Sequence, residues 1–213
     1  MNKFIYNFVK ITGWPIAAAC FRTKYYYEDK LNQSRKIKGP AIIISNHTAI
    51  SDFMVLMYTF YNRNIHTVMA DILYKKNKFM NWFLDKMGGI KVCRETNNYS
   101  FIEQSCEILK NNGVIEIFPE ARIPKPHETR PLEFKPSAAY IALLSGAPII
   151  PVFTNGSYYK KHRARIIIGK QIDVKELVDS NKSEKENIEL INNFVRNKIM
   201  ELENVLNEKT KKG

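Results

Sequence analysis

Ala41-Ile42-Ile43-Ile44-Ser45-Asn46-His47-Thr48-Ala49-Ile50-Ser51-Asp52 runs from a β-branched apolar segment straight into a polar loop. Residues 41–45 are too short and too continuously apolar for an exposed strand, so they read as a strand buried on both faces of a parallel sheet. Gly39-Pro40 punctuates the chain just before it. A histidine just past such a strand lies where loops present side chains at the mouth of an α/β sheet.

Outward from this strand, the pattern alternates. Residues 52–62 are apolar nearly all round and predict a helix buried on several sides or touching lipid. Residues 66–70 predict a strand, 79–87 a helix ending at Gly88-Gly89, and 90–93 another strand. Segment 100–110 puts Ile102, Cys106 and Leu109 on one helical face, which makes Cys106 a core residue; Gly113 stops that helix before the strand 114–118. Pro124, Pro126, Pro131 and Pro136 make 123–136 a surface loop. A helix is expected over 137–145, strands over 148–153 and 165–168, and an amphipathic helix over 184–207 carrying Ile188, Ile191, Val195, Ile199 and Leu202. Strands alternating with helices predict an α/β fold, a single domain whose mostly parallel or mixed central sheet is flanked by helices. The expected division is an N-terminal membrane-anchoring segment over 1–34, the main domain over 35–205 and a basic tail over 206–213.

The chain has 213 residues, 45% of them hydrophobic, enough for one well-buried core. Cys20, Cys93 and Cys106 are odd in number and lack metal-type spacing, which fits a reducing compartment. The formal net charge of +12 points to an anionic partner: nucleic acid, phosphorylated small molecules or an acidic membrane surface. Half of that excess lies in residues 1–40, where eight Lys/Arg face only Glu28 and Asp29. The same stretch carries Phe4, Phe8 and Ile11 at helical spacing, with Trp14, Phe21 and Tyr25 to Tyr27 following, a basic and aromatic composition that suits an interfacial anchor. Lys10, Gly13 and Pro15 interrupt the apolar run, making it a poor transmembrane span and a poor signal peptide. The competing reading is a helix packed on the domain's own core.

Three clusters could carry chemistry. His47 can take a proton from an alcohol near neutral pH, and Asp52, five residues on, can fold back to fix the tautomer and stabilise the imidazolium; the bland reading of Asp52 is a cap on the helix that it begins. The start of that helix also offers backbone N–H groups for an oxyanion. Gly88-Gly89-Ile90-Lys91-Val92-Cys93-Arg94 delivers a guanidinium suited to bidentate phosphate binding. Phe118-Pro119-Glu120-Ala121-Arg122 ends another strand about 70 residues beyond His47 and leaves a carboxylate and a cation there, or else a local surface ion pair. The chain lacks a Gly-x-Ser-x-Gly elbow, a phosphate loop and a His-Glu-x-x-His helix, so neither a covalent acyl-enzyme nor a metal is expected.

These residues resemble the glycerolipid (lysophosphatidic acid type) acyltransferase family, through four motifs in the family's order. They are Asn46-His47 with Asp52, Gly88-Gly89 to Arg94, Phe118-Pro119-Glu120, and Ala147-Pro148-Ile149-Ile150-Pro151-Val152. Met80-Asn81-Trp82-Phe83-Leu84 and Phe134-Lys135-Pro136-Ser137-Ala138-Ala139 agree between the motifs, and the similarity spans roughly residues 35–205. The family's third motif usually reads Phe-Pro-Glu-Gly-Thr-Arg; here Ala121 replaces the glycine and Arg122 comes one residue early.

The resemblance implies His47 as base, Asp52 as its orienter, acceptor-phosphate contacts from Arg94, Glu120 and Arg122, and a structural or acyl-site role near Pro151. It implies an O-acyltransferase using an acyl-carrier protein or CoA thioester and a lysophospholipid acceptor, most simply lysophosphatidic acid, with no further cofactor. Its place would be an anionic membrane surface, peripheral or monotopic on the cytoplasmic face. Two other readings stay open: a lipid or thioester hydrolase in which the same pair activates water, and a non-catalytic basic module. A nucleic-acid module would draw on Lys160-Lys161-His162-Arg163-Ala164-Arg165, a run that no recognised nucleic-acid motif accompanies, so nucleic acid is not the expected partner.

Overall fold

The computed structural model describes residues 1–93, 99–159 and 163–211. Thirteen elements carry the fold: α1 (Lys3–Phe21), β1 (Lys24–Tyr27), β2 (Ala41–Ser45), α2 (Asp52–Thr59), β3 (Ile65–Ala70), α3 (Lys78–Lys86), β4 (Ile90–Val92), α4 (Ser100–Lys110), β5 (Val114–Ile117), α5 (Ser137–Ser145), β6 (Ile149–Thr154), β7 (Arg165–Ile168) and α6 (Glu184–Lys211). The seven strands form one sheet in the order β1-β7-β6-β2-β5-β3-β4. Every neighbouring pair is parallel except β6 with β7, so the mixed, mostly parallel sheet expected from the alternation is present.

β2 is central, buried along its whole length and paired on both sides. Because successive strand side chains alternate, Ile42 and Ile44 enter one apolar layer with Val195, Ile199 and Leu202 of α6, while Ala41 and Ile43 enter a second with Val55 and Leu56 of α2. The carboxyl ends of β2, β5 and β6 therefore share one edge of the sheet, which is where His47 emerges. Arg35 closes the end of α2 by donating to the Thr59 and Tyr58 carbonyls at 2.9 and 2.8 Å.

Two differences from the expected pattern lie at the N-terminus. Lys24–Tyr27, grouped by sequence with the anchoring segment, is the edge strand of the sheet, running parallel to β7 from Lys24↔Arg165 to Tyr27↔Ile168. Its partner lies about 140 residues away, so local pattern does not reveal the pairing. Lys10, Gly13 and Pro15 do not break α1, which is continuous over 19 residues and by length and composition is the one helix among the described residues long and apolar enough to cross a membrane. Lys10 reaches out of the helix to the Arg63 carbonyl at 2.8 Å, and burial draws its ammonium down to about 8.

α1 is also not simply a core helix. Tyr6, Ala17 and Phe21 face the domain, and the Tyr6 hydroxyl accepts from the Ile65 backbone N–H at 3.1 Å. The opposite face leaves Phe4, Phe8 and Ile11 exposed at 79%, 59% and 73%. One helix thus packs on the domain along one face and exposes an apolar stripe along the other.

Candidate active site

The loop that follows β2 is pinned before it reaches the histidine. The Asn46 carboxamide donates to the Thr154 carbonyl and accepts from the Thr154 N–H, both at 2.9 Å, clamping the ends of β2 and β6 together. His47 then lies with its ring stacked on Phe118, centroids 4.5 Å apart. Its Nδ1 meets Asp52 Oδ2 at 2.7 Å. Since a carboxylate accepts, Nδ1 carries the proton and Nε2 presents its lone pair. Nε2 has no hydrogen-bond partner among the described residues, and the side chain is 19% exposed.

Asp52 is the first residue of α2 and is 1% exposed. Besides His47 it accepts from the Thr48 N–H at 2.6 Å, the Thr48 hydroxyl at 2.8 Å and the Ala49 N–H at 2.9 Å. Burial works to raise this carboxyl, and the hydrogen bonds from His47, Ala49 and Thr48 outweigh it, holding the group below the usual carboxylate range. Capping and orienting are thus combined in one side chain. The same contacts spend the N–H groups of Thr48 and Ala49, so these are not free to serve as oxyanion donors.

Glu120 and Arg122 part company. Glu120 is buried, and its two oxygens accept backbone N–H groups, His47 at 2.8 Å and Leu132 at 2.9 Å. Burial outweighs those bonds and the nearby Arg130 charge, so its carboxyl stands above the usual range. Glu120 thereby staples the His47 loop to the 119–136 loop through one hydrogen bond to each of its oxygens. Arg122 is held by Glu128 in a bidentate surface pair, both bonds 2.6 Å, and not by Glu120 of its own motif. Arg94 lies outside the described residues, as does the 160–162 part of the basic run.

Ala121 adopts φ +60°, the left-handed conformation that a glycine takes without penalty. Pro151 lies within β6, where its carbonyl accepts the Gly169 N–H at 2.8 Å, a structural position between two strands.

Several neighbours escaped sequence reading. Tyr158 hydrogen-bonds Thr154 Oγ1 at 2.8 Å, and burial beside the Asp52 charge raises its phenol far above the ordinary value. Gly156, at φ +65°, packs so tightly on Thr48 that a Cβ there would lie 2.7 Å from the threonine Cβ. Behind the pair, Glu116 on β5 is fully buried; Thr67 donates to its Oε2 at 3.4 Å, while Oε1 has no partner. Burial and the charge of Asp52 push this carboxyl well above the usual range. The only signal for Glu116 was a lone acid in an otherwise apolar strand.

The arrangement is a histidine whose Nδ1 is held by a buried aspartate, with Nε2 open at the edge of a sheet. Comparison with known proteins shows the family. A family model described as Acyltransferase matches residues 22–155. The 1-acyl-sn-glycerol-3-phosphate acyltransferase of Bacillus subtilis (strain 168) is 27% identical over 172 residues, covering 78% of this chain and 83% of that protein. The crystal structure of the 1-acyl-sn-glycerophosphate (LPA) acyltransferase PlsC from Thermotoga maritima superposes with a TM-score of 0.65 at 19% identity, covering 94% of this chain and 80% of the other. The matched family model runs from the end of α1 to the loop after β6 and covers more than half of the chain, so this chain belongs to the acyltransferase family.

Proposed function

We propose that this acyltransferase moves a fatty acyl group from an acyl-carrier protein or CoA thioester to the free hydroxyl of lysophosphatidic acid, giving phosphatidic acid. The observation that carries the reading is the 2.7 Å contact of Asp52 with His47 Nδ1, which leaves Nε2 open as a base. In the reaction the acceptor hydroxyl gives its proton to Nε2 as its oxygen attacks the thioester carbonyl carbon. The tetrahedral intermediate then collapses, the C–S bond breaks, and the departing thiolate takes the proton back from the imidazolium. Asp52 stays ionised throughout and balances the transient charge. The two relatives, both named as acyltransferases of 1-acyl-sn-glycerol phosphate, support lysophosphatidic acid as acceptor.

For the acceptor phosphate, Arg94 is carried by the family resemblance. Arg130 joins it as a candidate, because its charge acts on Glu120 beside His47 and no ion pair holds it among the described residues. Both substrates and the product carry acyl chains, and the exposed stripe of α1 suits an anionic membrane surface, on the cytoplasmic face, where they reside.

The deciding experiment is a panel of acyl-CoA and acyl-carrier-protein donors against lysophosphatidic acid and other lysolipids, run on the wild type and His47→Ala. Acceptor-dependent formation of diacyl phospholipid, lost in the variant by about 1,000-fold or more, is the expected result. Free fatty acid released at the same rate without acceptor identifies a hydrolase instead, and substantial turnover by His47→Ala removes the histidine from its role.

A further inference from the structure

A cavity of about 570 Å³ opens between the C-terminal half of α1, β1 and α2, and its lining includes Trp14, Arg22, Tyr25, Arg35, Tyr58 and Arg163. None of the residues of the His47–Asp52 pair lines it. Its character is set by charge: three guanidinium groups surround one space, no carboxylate lines that space, and none of the three is in an ion pair among the described residues. Like charges gathered around a shared void repel one another, and an anionic occupant relieves this.

Arg35 is held firmly in place. Its Nε and one terminal nitrogen are committed to the end of α2, and its plane lies 3.8 Å over the Tyr25 ring, so its other terminal nitrogen remains as a fixed donor. Arg22 ends α1 in the left-handed conformation and also lines the cavity. A guanidinium fork matches the oxygens of a phosphate better than any other side chain does. The cavity is therefore built for a phosphate ester.

The wall also says where the ligand comes from. Trp14 lines the cavity while remaining 60% exposed, and it lies one helical turn from Ile11 and Ala18 on the surface of α1. The mouth of the arginine cavity consequently borders the stripe of Phe4, Phe8 and Ile11 that faces away from the domain. Tryptophan beside arginine, at the margin of an apolar stripe, is the composition that meets a bilayer at headgroup depth.

We propose that this cavity holds the phosphate headgroup of an anionic bilayer lipid, making it a second lipid-recognition site separate from the His47 centre. The inference rests on the reading of α1 as the membrane-facing helix under the proposed function, and it adds a defined headgroup site to a general attraction. The lipid bound here is a neighbour in the bilayer that fixes the enzyme at the surface, and it is not consumed.

The test uses the full chain with Trp82→Phe, which leaves Trp14 as its single tryptophan. Dihexanoyl phosphatidylglycerol, added below its micellar concentration, is expected to change the Trp14 emission saturably. Arg22→Gln/Arg163→Gln should weaken that response about 30-fold, roughly fivefold for each guanidinium near an anionic headgroup. Lys30→Gln/Lys36→Gln removes the same charge from exposed positions outside the cavity lining and should change it far less. The proposal is overturned by an absent or non-saturating response, by equal weakening in both double variants, or by coenzyme A or glycerol 3-phosphate binding as tightly as the lipid. Acyl transfer is assayed in detergent micelles on the same proteins. Transfer retained by Arg22→Gln/Arg163→Gln supports a site separate from catalysis, whereas a wild type that answers the lipid without transferring acyl groups defeats only the functional reading.

Discussion

Glu120 accepts the backbone N–H of His47 at 2.8 Å across 73 residues of chain, so the third motif positions the first. Glu120→Gln turns one of two acceptors into a donor facing a backbone N–H, which forces the His47 loop to shift. A displacement of that kind should lower kcat about 10- to 100-fold while leaving the KM for the acceptor nearly unchanged. A rise in acceptor KM at constant kcat would instead make Glu120 a substrate contact.

Asp52→Asn keeps the shape and removes the charge. It turns an amide NH2 toward a site built from donors and no longer fixes the imidazole tautomer, and kcat should fall by about 1,000- to 10,000-fold. Circular dichroism should show the fold retained, because the change reaches only the first turn of α2. A variant with more than a tenth of wild-type turnover would contradict the orienting role.

Ala121→Gly should stabilise the protein. A non-glycine residue in the left-handed region costs about 1–2 kcal/mol, part of which the greater freedom of glycine in the unfolded chain offsets. A net gain of about 1 kcal/mol corresponds to a Tm increase of about 3 °C for a chain of this size, readable by calorimetry. An unchanged or lower Tm would show that the turn after Pro119 draws on the alanine methyl.

The pH dependence of stability should carry the mark of Glu116. Its carboxyl is raised in the folded state, so its contribution is fully present below its ordinary value of 4.5 and is lost as pH rises toward the folded value. Asp52 has the opposite sign: its contribution is present above its ordinary value of 3.8 and is lost as pH falls through the depressed one. Above pH 4.5 Glu116 should therefore make the wild type lose stability with rising pH until the raised value is passed, and Glu116→Gln should flatten that slope in urea titrations. Identical slopes in both proteins would mean that Glu116 is ionised in the fold.

Membrane attachment is best probed without shortening the chain, because Tyr6, Ala17 and Phe21 are packed against the domain and β1 belongs to the sheet. Phe4→Ser/Phe8→Ser/Ile11→Ser alters exposed residues alone. Sedimentation with acidic liposomes should fall at least tenfold, from the loss of three large apolar side chains, while activity toward a soluble short-chain lysolipid persists. Undiminished sedimentation would leave the helix with a packing role only.

What the sequence disclosed divides along the line between local and distant causes. The helix over 137–145 and the strands at 41–45 and 165–168 were legible to the residue, because composition and periodicity decide them locally. The alliance of His47 with Asp52 was legible too, since five residues of loop leave few ways to arrange them. Tyr25 to Tyr27 looked interfacial because β7, their partner, lies far along the chain. Arg122 looked available because Glu128, which holds it, lay in an adjoining proline-rich loop whose course no periodicity describes. Glu116 was invisible for a similar reason, as the burial that raises its carboxyl arises only when β5 is enclosed by β2 and β3.

Only Arg22 and Thr23 separate the end of α1 from the first strand of the sheet. A link of two residues reaches at most about 7 Å, so the helix cannot swing on it as a buoy swings on a long chain. Whatever plane α1 settles into dictates the tilt of the entire sheet, and with it the compass heading of the edge that bears His47. With attachment through α1 as proposed, landing and aiming become one event, with no separate step to turn that edge toward the surface beneath it.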